Sequence, residues 1–165
     1  MEFAAVGMTE FGTAYFKKRN LHLWTKEMPG LVPGSQSRPA DIFIENWIDG
    51  GKFAFDVSVV SPTQDAVILR AADSPAAAIE MRKSSKDRAH LANCRAQGIA
   101  FKPLVVETFG GWDADAVKIL KKLGRHSARR RGKNDAVEIK HFFQRLSIAL
   151  QRGNATLLID RDATH

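Results

Sequence analysis

The chain has 165 residues and an apolar fraction of 44%, which is typical of one folded domain with a buried core and argues against a disordered chain. No apolar run approaches the ~20 residues that a membrane helix needs, and the N-terminus lacks a signal-peptide pattern, so we expect an intracellular protein, nuclear or cytoplasmic, that is not secreted. Cys94 is the single cysteine, which excludes an internal disulfide and a cysteine-based zinc cluster.

The net charge of +7 is concentrated in one segment. Between Lys118 and Lys133 the sequence holds eight Lys or Arg residues and no acid. Such a block repels itself unless it meets a polyanion, so nucleic acid is the expected partner. A solvated loop and a nuclear-targeting sequence are the alternatives.

The first half of the chain predicts a helix followed by three strands. Residues 8–20 form a weak helix, since Gly12 lowers its propensity, and residues 21–28 form a first strand. The Pro-rich and Gly-rich residues 29–39 form a loop. Residues 40–46 (ADIFIEN) and 52–60 (KFAFDVSVV) are rich in Ile, Phe and Val and form a hairpin, with an Asp-Gly or Gly-Gly turn in the intervening WIDGG.

The second half predicts a long helix, a buried strand and two further helices. A helix from about Ser74 to Gln97 ends before Gly98. The near-continuous apolar run of 99–109 (IAFKPLVVETF) predicts a strand buried on both faces, with Pro103 at its entrance or at a bulge. Residues 113–131 form a helix with acids at its start and bases at its end.

The last predicted helix, residues 135–153, is strongly amphipathic. Its apolar face carries Val137, Phe142, Leu146 and Leu150. Residues 153–165 are expected to form a flexible tail. The sequence only poorly predicts where residues 1–20 lie in the domain. The order α-β-β-β-α-β followed by two helices predicts a single domain over residues 1–165, of the α/β class with a mixed sheet flanked by helices.

Two aspartates lie on the predicted hairpin, Asp41 in its first strand and Asp56 in its second. Because side chains alternate along a strand, Asp56 and Ser58 share one face. A two-residue turn at Asp49-Gly50 places Asp41 opposite Ser58, one diagonal step from Asp56, and a turn one residue later keeps all three on that face. Diagonal neighbours lie ~7 Å apart, which allows two carboxylates to share a divalent cation.

These two acids have two interpretations. Like charges at this spacing raise a pKa or destabilise the hairpin, and Mg²⁺ removes the conflict while leaving room for waters and a substrate phosphate. That is the chemistry of metal-assisted phosphodiester hydrolysis. In the other interpretation, Asp41 only ends the loop after Pro39, and Asp56 is solvated at a sheet edge.

The segment Arg38-Pro39-Ala40-Asp41, followed by Phe55-Asp56-Val57-Ser58-Val59, resembles the active-site hairpin of the PD-(D/E)XK, or restriction-endonuclease-like, nucleases. The strings KEMPGLVPGSQSRPADIFIENW, AFDVSVVSP and FKPLVVETFGGW are similar to a nuclease domain at the C-terminal end of retroelement-encoded reverse transcriptase polyproteins. The likeness covers about Lys26 to Arg152. It implies a restriction-endonuclease-like core and a DNA-cutting activity that uses Mg²⁺ or Mn²⁺.

The resemblance implies roles for individual residues. Asp41 takes the place of the PD aspartate and Asp56 that of the acid in the (D/E)XK pair, and both are metal ligands. Ser58 stands where the family has a lysine. In the retroelement branch this lysine has moved to the following helix, where Lys83 and Lys86 are the candidates and Lys86 is preferred.

Further site residues are expected around this hairpin. Glu107 ends the fourth predicted strand and is a candidate supporting acid, with a capping role before Gly110-Gly111 as the alternative. Phosphate contacts are expected from the basic residues Arg38, Lys121, Lys122, Arg125, Arg129, Arg130, Arg131 and Lys133.

Three functions therefore remain open. The first is a metal-dependent endonuclease-like domain of retroelement origin that acts on DNA. The second is a nucleic-acid-binding module that keeps the fold without the chemistry, as the missing lysine at Ser58 suggests. The third is a basic interaction domain that uses the apolar face of the last helix. No membrane partner is expected, and a homo-oligomer is not indicated.

Overall fold

A computed structural model of the chain describes residues 24–26, 40–47 and 50–162. They form a mixed sheet of four strands in the order β1-β2-β3-β4: β1 Trp24–Lys26, β2 Ile42–Ile44, β3 Lys52–Val60 and β4 Ile99–Glu107. The first three strands are antiparallel, and β4 runs parallel to β3. The predicted mixed α/β class is thus confirmed, whereas the predicted first helix and the loop before Pro39 lie outside the described residues.

Four helices complete the described part of the chain: α1 Asp65–Asp73, α2 Ala77–Ala96, α3 Ala114–Arg130 and α4 Asp135–Asp162. The sequence predicted α2 and α3 within a few residues. Gly98 follows α2 with a φ of 68°, a left-handed conformation that favours glycine and ends the helix. The short helix α1, between the hairpin and α2, was not predicted.

The helices cover both faces of the sheet, and β3 shows how the residues are divided. Phe55 and Val59 pack with Leu120 of α3 and Leu146 of α4 in the larger core. Ala54, the neighbour of Phe55 along the strand, packs on the other face with residues that include Cys94 of α2. This alternation creates a helix–sheet–helix arrangement in which α1 and α2 lie on one face and α3 and α4 on the other.

The outer edge of β4 is covered by the chain that follows it. Trp112 forms a bridge with Val106, and the Asp113 amide donates a hydrogen bond of 3.0 Å to the Val105 carbonyl. Pro103 lies in the middle of β4 rather than at its entrance. An edge strand accommodates proline because one of its sides needs no ladder donor. The burial of Leu104, Val105 and Val106 confirms that the strand is covered on both faces.

Three local predictions differ from the structure. Val137 is 51% exposed, whereas Phe142, Leu146 and Leu150 form the buried face of α4 as predicted. The last helix does not end at Gly153 but continues to Asp162, because Gly153 is itself buried and Leu157 packs against the larger core. The connection between β2 and β3 is longer than a two-residue turn, since the last paired residues, Ile44 and Phe53, enclose residues 45–52.

Candidate functional site

The register of the β2–β3 hairpin sets the positions of the two aspartates. Ile42 pairs with Phe55 at the end of the described ladder, and Asp41 precedes Ile42 at a bend. The predicted register placed Asp41 opposite Ser58 and is two residues off, because the connection is longer than predicted. A shift of two residues is even, however, and an even shift in register keeps each paired position on the same face of the sheet. Asp41 lies at a bend outside the described ladder, so the shared face of the two aspartates stays a prediction.

Asp56 forms an ion pair with Lys86 from α2. The Lys86 Nζ lies 3.1 Å from Asp56 Oδ1 and 2.9 Å from Oδ2. Ser58 Oγ lies 3.4 Å from Asp56 Oδ2, a weak third contact. Asp56 is only 6% exposed, on an interior strand of the sheet, so the interpretation as a solvated edge aspartate is wrong. A buried carboxylate needs a counter-charge, and Lys86 supplies it.

Asp41 is directed toward the backbone of β3. It lies at a bend just before β2, and its Oδ2 accepts a hydrogen bond of 2.7 Å from the Val57 amide. The described β2 begins at Ile42 and so does not provide a carbonyl for this amide. The contact fixes the Asp41 carboxylate beside the residue that follows Asp56. The structure thus brings Asp41, Asp56, Ser58 and Lys86 together at one end of β2.

Lys83, the other candidate lysine, belongs to a different cluster. Its Nζ lies 3.0 Å from Asp113 Oδ1 and 2.8 Å from Asp115 Oδ2, at the start of α3. Burial lowers the pKa of Lys83, but the hydrogen bonds and charges of Asp115 and Asp113 outweigh it, and the pKa is raised. The hydrogen bond from Lys83, helped by Lys118, lowers the pKa of Asp115 to about 2. Lys83 therefore links α2 to α3 rather than to Asp56.

Asp113 explains why α3 begins where it does. Its side chain accepts a hydrogen bond of 2.9 Å from the Ala116 amide, which caps the helix N-terminus. Sequence reasoning placed acids at this helix start but gave neither Asp113 nor Asp115 a lysine partner from α2. The lysine lies 30 residues from Asp113 along the chain, so only the packing of α2 reveals the pair.

Glu107 lies away from the aspartate pair. In the parallel register it is level with Val60, four residues beyond Asp56 along β3, which corresponds to about 13 Å. It is thus too far from Asp56 to bind the same ion. Its Oε1 is buried without a hydrogen-bond partner, and burial raises the pKa of its carboxyl group. Its Oε2 lies against Gly111, where a Cβ atom would be only 2.7 Å away.

The predicted phosphate-binding residues fall into several groups. Arg38 lies outside the described residues. Lys121, Lys122, Arg125 and Arg129 are exposed on α3, as are Arg130 at its end and Lys133 beyond it. Arg131 forms an ion pair of 3.1 Å with Glu138, a buried acid of α4, and so has a structural partner within the fold.

The carboxylate groups of Asp41 and Asp56 are the type of ligand that a hard cation prefers. Mg²⁺ is commonly held by one or two carboxylates together with waters and substrate phosphates. Within residues 24–26, 40–47 and 50–162 no three His, Cys, Asp or Glu side chains form a group that could hold a metal ion, so such a site would depend on substrate or water oxygens. Lys86 contacts both oxygens of Asp56, so an ion bound there would compete with its ammonium group.

No protein-family model and no curated protein sequence matches the chain. In the described part of the chain no helix is both long and apolar enough to cross a membrane.

Proposed function

We propose that the chain is a metal-dependent endonuclease-like domain of retroelement origin, with a restriction-endonuclease-like core, that hydrolyses DNA phosphodiester bonds. One observation carries the proposal: Lys86 of α2 reaches Asp56, and the Asp41 carboxylate accepts a hydrogen bond from the residue that follows Asp56. Two acids and one lysine are the residue types that such a reaction needs, and here they come from the bend before β2, from β3 and from α2.

The side chains would divide the work as follows. Asp41 and Asp56 would hold the metal ion, Mg²⁺ or Mn²⁺, and a bound ion would supply activation of water and offset charge on the leaving oxygen. Lys86, on releasing Asp56, turns its ammonium group toward the anionic phosphate and stabilises the charge that develops there. Ser58 contributes a hydroxyl group beside Asp56 but no positive charge, so Lys86 is the cation of the site.

The test is nicking of supercoiled plasmid DNA in the presence of Mg²⁺ or Mn²⁺. The Asp56→Asn variant should lose activity by about 100-fold or more, because loss of a metal ligand removes several kcal/mol of transition-state stabilisation. Asp65→Asn is the matched control, since Asp65 is exposed in the first turn of α1. Equal nicking by the wild-type protein and the Asp56→Asn variant would refute the assignment.

A second candidate function is a nucleic-acid-binding module without catalysis. It is favoured by the ion pair itself, because Lys86 contacts both oxygens of Asp56 and satisfies the buried charge without a metal ion. The absence of a lysine at Ser58 points in the same direction. Calorimetric titration with Mg²⁺ beside a DNA gel shift separates the two functions. DNA binding with no heat of metal binding, in the presence or absence of DNA, would favour the module.

A further inference from the structure

Five of the six Lys and Arg residues of α3 lie on one side of the helix, and Arg130, its last residue, lies outside this group. Successive residues of an α-helix are rotated by about 100°, which places five cations within an arc of about 100°. These residues, here called the basic stripe, are Lys118, Lys121, Lys122, Arg125 and Arg129, and all five are exposed. Four buried residues of α3 lie on the opposite side of the helix, Ala116, Leu120, Leu123 and Ser127, and the buried Gly124 and Ala128 lie at its flank. The stripe therefore points away from the protein.

Lys121 and Arg125, two residues in the middle of the basic stripe, contact no carboxylate among the described residues. At the two ends, Lys118 Nζ lies 3.1 Å from Asp115 Oδ1, and Arg129 Nε lies 3.9 Å from Asp135 Oδ2. Both of these pairs are exposed, and exposed ion pairs are weak and easily exchanged for another anion.

The basic stripe and the Asp56–Lys86 pair lie on opposite sides of the sheet. The buried side of α3 packs against the face that carries Phe55 and Val59. Asp56 alternates with these residues along β3 and meets α2 on the other face. The whole thickness of the sheet and the body of α3 thus separate the stripe from the aspartate pair.

We propose that the basic stripe binds the phosphate backbone of a nucleic-acid duplex, at a surface separate from the Asp56–Lys86 pair. The proposal rests on the nucleic-acid partner of the proposed function and adds the place of contact. From Lys118 to Arg129 the stripe extends about 16 Å along the helix axis, a length over which one strand of a duplex carries about five phosphates. Five cations therefore meet about five anions.

The composition of α3 distinguishes a duplex from a membrane surface. A helix that lies on a lipid bilayer buries its apolar side in the lipid. In α3 that side is already buried against the sheet, with Leu120 and Leu123 only 5% and 3% exposed. The outward side offers charge without apolar area, which suits a phosphate backbone.

Because the two surfaces are separate, duplex binding by the basic stripe needs neither the acids nor a metal ion. The Asp56→Asn variant is therefore expected to bind a duplex in EDTA as tightly as the wild-type protein. A single rigid duplex cannot lie along the stripe and enter the aspartate site at the same point. The part of the DNA that is bound by α3 is then adjacent to, and different from, any part of the DNA that reaches Asp56.

The experiment is fluorescence anisotropy of a labelled 20-base-pair DNA duplex in EDTA at several salt concentrations. The Lys121→Gln/Arg125→Gln variant should bind roughly tenfold more weakly, for unrelated sequences alike, and the slope of log K against log salt should fall by about two. The matched control is Arg88→Gln/Arg95→Gln, which removes two exposed cations from α2 on the other side of the sheet. This control should bind as the wild-type protein does.

Four outcomes would overturn the proposal: an unchanged slope in the stripe variant, weaker binding only in the control, weaker binding in Asp56→Asn, or equal stripe-dependent binding to polyglutamate or to anionic lipid vesicles. Circular dichroism of each variant confirms that it is folded. The nicking assay is independent of this result. Stripe-dependent binding without nicking removes the nuclease assignment alone, whereas nicking without stripe dependence removes only the binding surface.

Discussion

Replacing Lys86 with methionine tests whether the Asp56–Lys86 pair holds the site together. The Asp56 side chain is 8% exposed and the Lys86 side chain 25% exposed, so the substitution leaves a largely buried carboxylate without its counter-charge. Breaking a fully buried pair costs roughly 3–5 kcal/mol, and because Lys86 reaches solvent we expect about 2–3 kcal/mol. The Asp56→Asn/Lys86→Met double variant removes both charges and should lie within about 1 kcal/mol of the wild-type protein.

The assay is urea unfolding at pH 7, followed by circular dichroism, for the wild-type protein, both single variants and the double variant. These four proteins form a double-mutant cycle, which isolates the coupling between the two side chains. Lys118→Met is the matched control, since its partner Asp115 is exposed, and it should cost no more than about 0.5 kcal/mol. The reasoning fails if Lys86→Met costs no more than this control, or if the two single costs simply add in the double variant.

Three further predictions concern other parts of the fold. Glu107→Gln should raise the free energy of unfolding at pH 7 by about 1 kcal/mol, because a buried oxygen without a partner no longer carries charge. Burial raises the pKa of Glu107, so the wild-type protein loses stability only when this carboxyl group ionises. In urea unfolding, the extra stability of the variant should therefore disappear as the pH falls below about 4. Gly124→Ala should lower the free energy of unfolding by about 1 kcal/mol, because a new Cβ would lie only 2.9 Å from Ile139 Cγ1 and the cost of this clash exceeds the gain in helix propensity. A stabilised variant in urea unfolding would contradict this close contact. Lys83→Met should raise the pKa of Asp115 from about 2 toward 3.8, as measured by ¹³C NMR of its carboxyl group. Because Lys118 still contacts Asp115, the variant should reduce, but not abolish, the stability that the wild-type protein loses as the pH falls from about 4 to 2, and an unchanged Asp115 titration would disprove the link.

The sequence predicted most elements because their signals are local. Alternating apolar residues identified β3, the apolar run identified β4, and the acidic start of α3 gave its boundary to within a residue. The end of α4 was wrong for a non-local reason. Gly153 is a helix breaker in isolation, but here the helix continues because the following residues pack and bond, with Asn154 donating to the Thr108 carbonyl at 2.8 Å.

The candidate site was only partly predictable. Alternation along β3 placed Asp56 and Ser58 on one face, and the structure brings these two side chains into contact. The register depended on the length of a connection that carries no strong turn signal beyond its glycines. The remote position of Glu107 could not be predicted either, because it follows from the parallel pairing of β3 and β4, which brings Val60 rather than Asp56 level with it.

The choice between the two lysines of α2 depends on what lies opposite each one. Lys83 and Lys86 are three residues apart, so they lie nearly one above the other on the side of α2 that faces the sheet. Asp113 and Asp115 engage Lys83 because the chain after β4 turns back along its edge before α3 begins. This leaves Lys86 above Asp56. Lys83 thus ties α2 to the start of α3, and Lys86 supplies the positive charge at the candidate site, so the two positions are not interchangeable.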